Sequence, residues 1–122
     1  MDAYAWIEYL DGTVKGMKVK DILMQPNEIY TSSFTIAEVI SKTKRQEKNI
    51  DIVYQALCIN SKFIQITPEI AKEAGICHAE IHKKIRDFGL IDSLLLILAR
   101  KLNAKILTGD KHFKGFKEAI LI

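Results

Sequence analysis

The sequence has few cysteines, prolines and glycines, and it has no long apolar run. Its 122 residues include only two cysteines, two prolines and six glycines. Cys58 and Cys77 alone cannot form a disulfide framework or a four-ligand zinc site, and we expect both to be reduced and buried, as in intracellular proteins. The longest apolar run, Leu94–Ala99, is far shorter than the roughly 20 residues that a membrane span needs.

Several recognisable motifs are also missing. The N-terminal segment lacks the basic region and long apolar stretch of a signal peptide, so we expect a cytoplasmic protein that is not bound to a membrane. No G-x-G-x-x-G or Walker A pattern occurs, which argues against a glycine-rich phosphate-binding loop. The Asp-x-Asp pattern of haloacid-dehalogenase phosphatases is absent, because Asp2 is followed by Ala3 and Tyr4.

What remains is the composition of an ordinary soluble domain. Hydrophobic residues make up 48% of the chain and charged residues 27%, with a formal net charge of +3. The length suits one domain with its own core. No repeat, low-complexity segment or linker divides the sequence, so we expect residues 1–122 to form a single domain.

Short β-prone segments alternate with helical patterns along the chain. This alternation predicts an α/β fold with a parallel sheet, in which ligands bind beyond the carboxyl ends of the strands. Ser32 and Ser33 are good N-caps, and Asn103 is a good C-cap. The predicted helices cover residues 3–10, 14–24, 34–47, 50–60, a long segment from 68, and 92–102, and the predicted strands cover 28–31, 63–67, 105–108 and 119–122.

Four acidic residues stand where the pattern is otherwise apolar or tightly turned: Asp2, Glu38, Asp92 and Asp110. Each has an ordinary explanation on its own, as a helix cap, a turn residue, a solvated helix residue or a terminal residue. Together, at the starts and ends of elements of one α/β domain, they are unusual. Carboxylates that lie close together repel one another, and a hard cation such as Mg²⁺ or Mn²⁺ offsets this repulsion.

The segments around these acids resemble the successive motifs of PIN-domain proteins, and most closely the small VapC-type toxins. The resemblance extends from Asp2 to Phe113. The matching segments are Asp2-Ala-Tyr-Ala-Trp-Ile-Glu, Ser33-Phe-Thr-Ile-Ala-Glu38-Val, Gly89-Leu-Ile-Asp92-Ser-Leu-Leu-Leu-Ile-Leu-Ala99 and Leu107-Thr-Gly-Asp110-Lys-His-Phe113.

This resemblance implies a three-layer α/β/α sandwich with a short parallel central sheet and a metal-dependent ribonuclease activity. It also implies a homodimer and an antitoxin partner. The family's acidic site positions match Asp2, Glu38, Asp92 and Asp110, which would hold one or two Mg²⁺ or Mn²⁺ ions. Thr108 matches the hydroxyl that supports the site. The chain departs from the family pattern at its start, where only Met1 precedes Asp2 and we expect the first strand to be missing or truncated.

The charge distribution favours an anionic substrate. Setting the four site acids aside leaves 11 acidic residues against 18 basic ones, an excess of seven positive charges, which would attract a phosphate backbone. Lys111 and His112 adjoin Asp110, and we expect them to contact the RNA. A zinc site on His78 and His82 is disfavoured, because the ligand spacing is incomplete.

Three functions remain open at this point. The first is a divalent-metal-dependent endoribonuclease that is the toxin of a toxin–antitoxin pair. The second is a catalytically weak PIN-like module that binds RNA or protein, and the third is a nuclease that cleaves single-stranded DNA.

Overall fold

The computed structural model describes residues 1–122, which form six helices, four short strands and one 3-10 turn at Lys111–Phe113. The chain divides into two compact units, residues 1–65 with Ile122 and residues 66–121. The elements are α1 (Ala3–Leu10), α2 (Val14–Leu23), β1 (Tyr30–Ser32), α3 (Ser33–Arg45), α4 (Ile50–Asn60), β2 (Lys62–Ile64), α5 (Pro68–His82), α6 (Leu90–Leu102), β3 (Ile106–Thr108) and β4 (Ala119–Leu121).

The first unit contains α1 to α4 and a parallel pair of strands. Strand β1 pairs with β2, with Thr31 opposite Phe63. The apolar faces of the helices meet in a core of Trp6, Val39, Val53 and Leu57. The indole N–H of the fully buried Trp6 donates to the hydroxyl oxygen of Thr31 at 3.0 Å. This hydrogen bond satisfies the one polar atom of Trp6 and ties α1 to β1.

The second unit contains α5, α6 and another parallel pair, in which Leu107 of β3 lies opposite Ile120 of β4. Its core consists of Phe88, Leu96, Ala99, Ile106 and Phe113. Helix α5 packs against α6, and Cys77 contributes to the surrounding apolar shell. The two elements around the site described below, β3 and α6, therefore both contribute to this core.

Most helices begin at a polar side chain that accepts a backbone hydrogen bond. Such caps satisfy amide groups that have no partner within the helix. Helix α6 ends at Asn103, whose φ of 49° is the left-handed conformation that asparagine tolerates. The caps of the first five helices are Asp2, Thr13, Ser32, Asn49 and Thr67.

The predicted α/β fold with parallel strands is confirmed, and the differences are local. Helix α6 begins at Leu90, so Asp92 lies within its first turn and does not open the helix. Helix α3 ends at Arg45, because Glu47 adopts a φ of 55°. Cys58 is exposed, so the expectation that it is buried was wrong. None of the helices has the length and apolar composition that a membrane span requires.

Candidate functional site

A cluster of three potential metal ligands lies in the second unit. One ligand atom from each of Asp92, Asp110 and His112 lies within 4.8 Å of the others. The three residues come from the first turn of α6, the loop after β3 and the following 3-10 turn. The cluster therefore lies at the carboxyl end of β3, where α/β proteins place their ligands.

Asp92 is held by the start of α6. Gly89 is extended and precedes the helix, and its backbone N–H donates to Oδ2 of Asp92 at 2.9 Å. Partial burial raises the pKa of the Asp92 carboxyl, and the nearby charge of Asp110 acts in the same direction, while the Gly89 hydrogen bond opposes both. Desolvation and a like charge both disfavour the ionised form, and a bound cation would relieve them.

Asp110 is positioned by the side chain of Thr108. Thr108 is fully buried at the end of β3, and its hydroxyl oxygen accepts the backbone N–H of Asp110 at 2.9 Å. Oδ1 of Asp110 in turn accepts the backbone N–H of His112 at 2.9 Å. These two local hydrogen bonds fix the turn, so the orientation of the Asp110 carboxylate is set by the strand.

The imidazole of His112 lies between two carboxylates. Its Nδ1 is 2.7 Å from Oδ1 of Asp110, and its Nε2 is 2.9 Å from Oδ2 of Asp87. The hydrogen bond with Asp87, followed by that with Asp110, raises the pKa of His112 above its ordinary value. The same contact with His112 lowers the pKa of Asp87. A protonated His112 would place positive charge beside the carboxylates of the cluster.

Asp87 is a residue of this site that the sequence pattern does not reveal. It lies in the connection between α5 and α6, 25 residues from His112, where an acidic residue carries no periodic signal. Lys111, the other predicted substrate contact, is exposed in the same 3-10 turn as His112. The two residues thus form a short cationic segment directly after Asp110.

Asp2 lies in the first unit, at the start of α1. It is buried, and its Oδ1 accepts the backbone N–H of Ala5 at 2.9 Å. The amino group of Met1 donates to the carbonyl oxygen of Tyr30 at 2.9 Å. Burial lowers the pKa of this amino group to about 6, against the opposing effect of the Asp2 charge. Both residues before α1 are therefore held in place, and neither belongs to a strand.

Glu38 also lies in the first unit, on the exposed side of α3. It lines a cleft of about 430 Å³ together with residues of α1 and the basic side chains of Lys42 and Arg45. The opposite side of α3, with Val39 and Thr43, is buried. Glu38 thus faces solvent and a basic groove, in contrast to the partly buried Asp92.

The donor set of the cluster in the second unit fits a divalent cation. Carboxylate oxygens are the ligands that Mg²⁺ prefers, and Mn²⁺ accepts an imidazole nitrogen as well. Asp92 and Asp110 come from separate elements, and both are held by backbone hydrogen bonds. Such supporting bonds orient carboxylate ligands in metal sites. These two residues are accordingly the side chains in this unit best suited to hold the ion.

Comparison with protein families identifies the chain. A family model described as the PIN domain matches residues 1–119, nearly the whole sequence. The chain belongs to the PIN domain family. The matched range includes all four of the predicted acidic residues. A separate comparison with curated proteins found no significant match to the sequence.

Solved structures share the fold of this PIN domain. One is a toxin–antitoxin complex from Klebsiella pneumoniae, with 22% identity and a TM-score of 0.79, covering 98% of this chain and 92% of the other. Another is VapC20 from Mycobacterium tuberculosis, a toxin that cleaves the sarcin-ricin loop. It has 16% identity and a TM-score of 0.74, covering 96% of this chain and 95% of the other. At these identities the likeness establishes the fold.

Proposed function

We propose that this PIN domain is a divalent-metal-dependent endoribonuclease that hydrolyses RNA phosphodiester bonds as the toxin of a type II toxin–antitoxin pair. The observation that carries the proposal is the cluster of Asp92, Asp110 and His112 in a chain that matches the PIN domain over residues 1–119. Two carboxylates beside an imidazole combine metal-binding oxygens with a group that can exchange protons near neutral pH.

In this proposal Asp92 and Asp110 hold Mg²⁺ or Mn²⁺, and the family resemblance adds Asp2 and Glu38 to the acidic set. When bound, the ion supplies a Lewis acid that activates water and offsets the negative charge developing on the phosphate. Thr108 keeps the Asp110 turn in place through its hydroxyl. Glu38 orients the attacking water or helps to hold a second ion.

The cationic segment after Asp110 would contact the substrate. Lys111 and His112 follow Asp110 directly and are exposed, so they can reach a phosphate group beside the bound ion. His112 donates hydrogen bonds from both ring nitrogens when it is protonated, and its raised pKa favours that form. The RNA would then displace the contact between His112 and Asp87.

The proposed partners follow the similar structures. The protein from K. pneumoniae was solved as a toxin–antitoxin complex, and the one from M. tuberculosis is a toxin that cleaves the sarcin-ricin loop. We propose by analogy an antitoxin that inhibits this chain and an RNA substrate in the cytoplasm. The family resemblance adds a homodimeric assembly to this proposal.

Cleavage of labelled RNA in the presence of Mg²⁺ or Mn²⁺ tests the function. We expect the wild type to cleave single-stranded RNA with added metal, to lose activity in excess EDTA and to recover it when metal is restored. Asp92→Asn, which removes one charge at constant size, should lower kcat/KM by orders of magnitude. Cleavage of single-stranded DNA in preference to RNA would contradict the proposal that RNA is the substrate. Binding of RNA without metal-dependent cleavage would indicate a binding module instead of a nuclease.

A further inference from the structure

The cleft beside Glu38 combines features that suit one nucleotide. It lies in the first unit between α1 and α3 and has a volume of about 430 Å³, within the roughly 300–1,000 Å³ that small-ligand sites occupy. Ile7 of α1 lines one side, and Phe34, Glu38, Lys42 and Arg45 line the other. An apolar wall, an aromatic ring and two cations are thus present in one groove.

The spacing of residues along α3 produces this arrangement. Phe34, Glu38 and Lys42 recur every four residues and Arg45 follows three later, so all four lie along one side of the helix. Val39 and Thr43 lie on the other side and are buried. The order along the stripe is therefore an aromatic ring, a carboxylate and then two positive charges, over a helix length of about 16 Å.

We propose that this cleft is a nucleotide subsite for the RNA substrate, in which one base stacks on Phe34 and the adjoining backbone phosphates meet Lys42 and Arg45. Phe34 is 47% exposed although it belongs to a well-formed helix, so its side chain is accessible for stacking. Proteins bind single-stranded RNA by stacking its bases on aromatic side chains while cations follow the backbone. The inference rests on the proposed ribonuclease function.

An acidic peptide is the main competing occupant, because it too would be attracted by Lys42 and Arg45. The position of Glu38 between the aromatic ring and the cations favours a nucleotide. Glu38 would repel the carboxylates of an acidic peptide lying along the stripe, whereas a nucleotide carries its negative charge only at its phosphate. A nucleotide places its phosphate at the basic end and its base at the aromatic end, which is the order that the stripe presents.

Substitutions in the cleft with matched controls outside it test the subsite. Phe34→Leu keeps an apolar side chain and removes the stacking face, and Lys42→Gln removes one charge. Tyr54→Leu is the control for the first, because Tyr54 is 46% exposed on α4 and does not line the cleft. Lys44→Gln is the control for the second, because Lys44 belongs to the same helix and lies outside the cleft.

The readouts are steady-state cleavage of a short single-stranded RNA of mixed sequence and direct binding of the same RNA. Binding is measured in the Asp92→Asn background, in which the RNA should remain intact. We expect Phe34→Leu to raise KM and Kd about tenfold with little change in kcat, as for the loss of one stacked base. Lys42→Gln should weaken RNA binding. It should also make the slope of log Kd against log salt concentration smaller, by the amount expected for the loss of about one phosphate contact. The fluorescence of a 2-aminopurine base in the RNA should be quenched when the RNA binds the Tyr54→Leu variant. The quenching should be weaker when the RNA binds the Phe34→Leu variant.

Two results would overturn the subsite. One is KM and Kd values for Phe34→Leu and Lys42→Gln that equal those of the controls. The other is unchanged RNA binding combined with loss of binding to a synthetic acidic peptide, which would assign the cleft to a protein. Failure of the proposed ribonuclease function is distinguishable from both, because the wild type itself would then show no metal-dependent RNA cleavage.

Discussion

Replacing Asp92 should distinguish the effect of its carboxylate on the stability of the fold from its contribution to metal binding. Burial is the main cause that raises the pKa of this carboxyl, and the charge of Asp110 adds to it. A carboxyl whose pKa is higher in the folded than in the unfolded chain stabilises the fold when the pH is below its unfolded pKa of 3.8. This stabilisation is lost as the pH rises through the pKa of the folded state. At neutral pH the ionised side chain therefore weakens the fold.

The hydrogen bond from Gly89 sets the size of the expected effects. Asparagine retains an oxygen that can accept the Gly89 N–H, whereas alanine removes this bond, at a cost of about 1 kcal/mol. Losing the interaction of a carboxylate with the helix N-terminus costs about 0.5 kcal/mol. At pH 7 we therefore expect the free energy of unfolding of Asp92→Asn to be no more than about 0.5 kcal/mol below that of the wild type, or to exceed it. The free energy of unfolding of Asp92→Ala should be clearly lower than both.

Metal binding should reverse the order of stability. At a metal concentration one hundred times Kd the wild type should gain about 2.7 kcal/mol, which corresponds to a rise in Tm of roughly 10 °C for a domain of this size. Asp92→Asn should show little of this rise. Thermal unfolding of the three proteins with Mn²⁺ and with EDTA provides the measurement. Equal Mn²⁺-induced shifts in wild type and Asp92→Asn would refute the assignment of Asp92 as a ligand.

Three further predictions concern other contacts of the molecule. Asp87→Asn should lower the pKa of His112, because the hydrogen bond with Asp87 is the largest cause of its rise; an unchanged NMR titration of the imidazole would contradict this. Burial alone would raise the pKa of Glu118, but the hydrogen bond at 3.0 Å from Arg100 and other favourable interactions lower it overall. Its contribution to stability is therefore present above pH 4.5 and is lost as the pH falls through the lower folded value. Glu118→Gln should unfold about 1 kcal/mol more easily at pH 7, and a gap that persists unchanged in acid would argue against the ion pair. Light scattering at micromolar concentration should give about twice the chain mass of 13.9 kDa, and a monomer mass throughout that range would exclude the proposed dimer.

The helices were predictable because their signals are local. Pro68 and the cap residues Ser32 and Asn103 mark helix boundaries by their own conformational preferences, and the structure places them there. The start of α6 was misplaced for the same reason. Gly89 precedes that helix without a capping side chain, while Asp92 resembles a cap in the sequence and instead bonds back to Gly89 from the first turn.

The strands and one site residue depend on distant contacts. Each strand is only three residues long, so its pairing partner determines its ends more than its own side chains do. Asp92 and Asp110 were predicted from the acidic pattern and the family motifs, and His112 was predicted as a substrate contact beside Asp110. The structure brings the three side chains together. Asp87 was missed because its only functional signal is its contact with His112, which forms when the chain folds.

The most direct test of the proposed metal site compares RNA cleavage by Asp92→Asn, Asp110→Asn and the double variant, at saturating Mn²⁺. Both carboxylates are proposed to bind the same ion, and residues that act as a unit give strongly non-additive losses of activity. Each single variant should therefore lower kcat/KM by orders of magnitude, with the double variant little worse than either one. Cleavage at the wild-type rate by either single variant, or losses that multiply in the double variant, would contradict a shared metal site as the basis of activity.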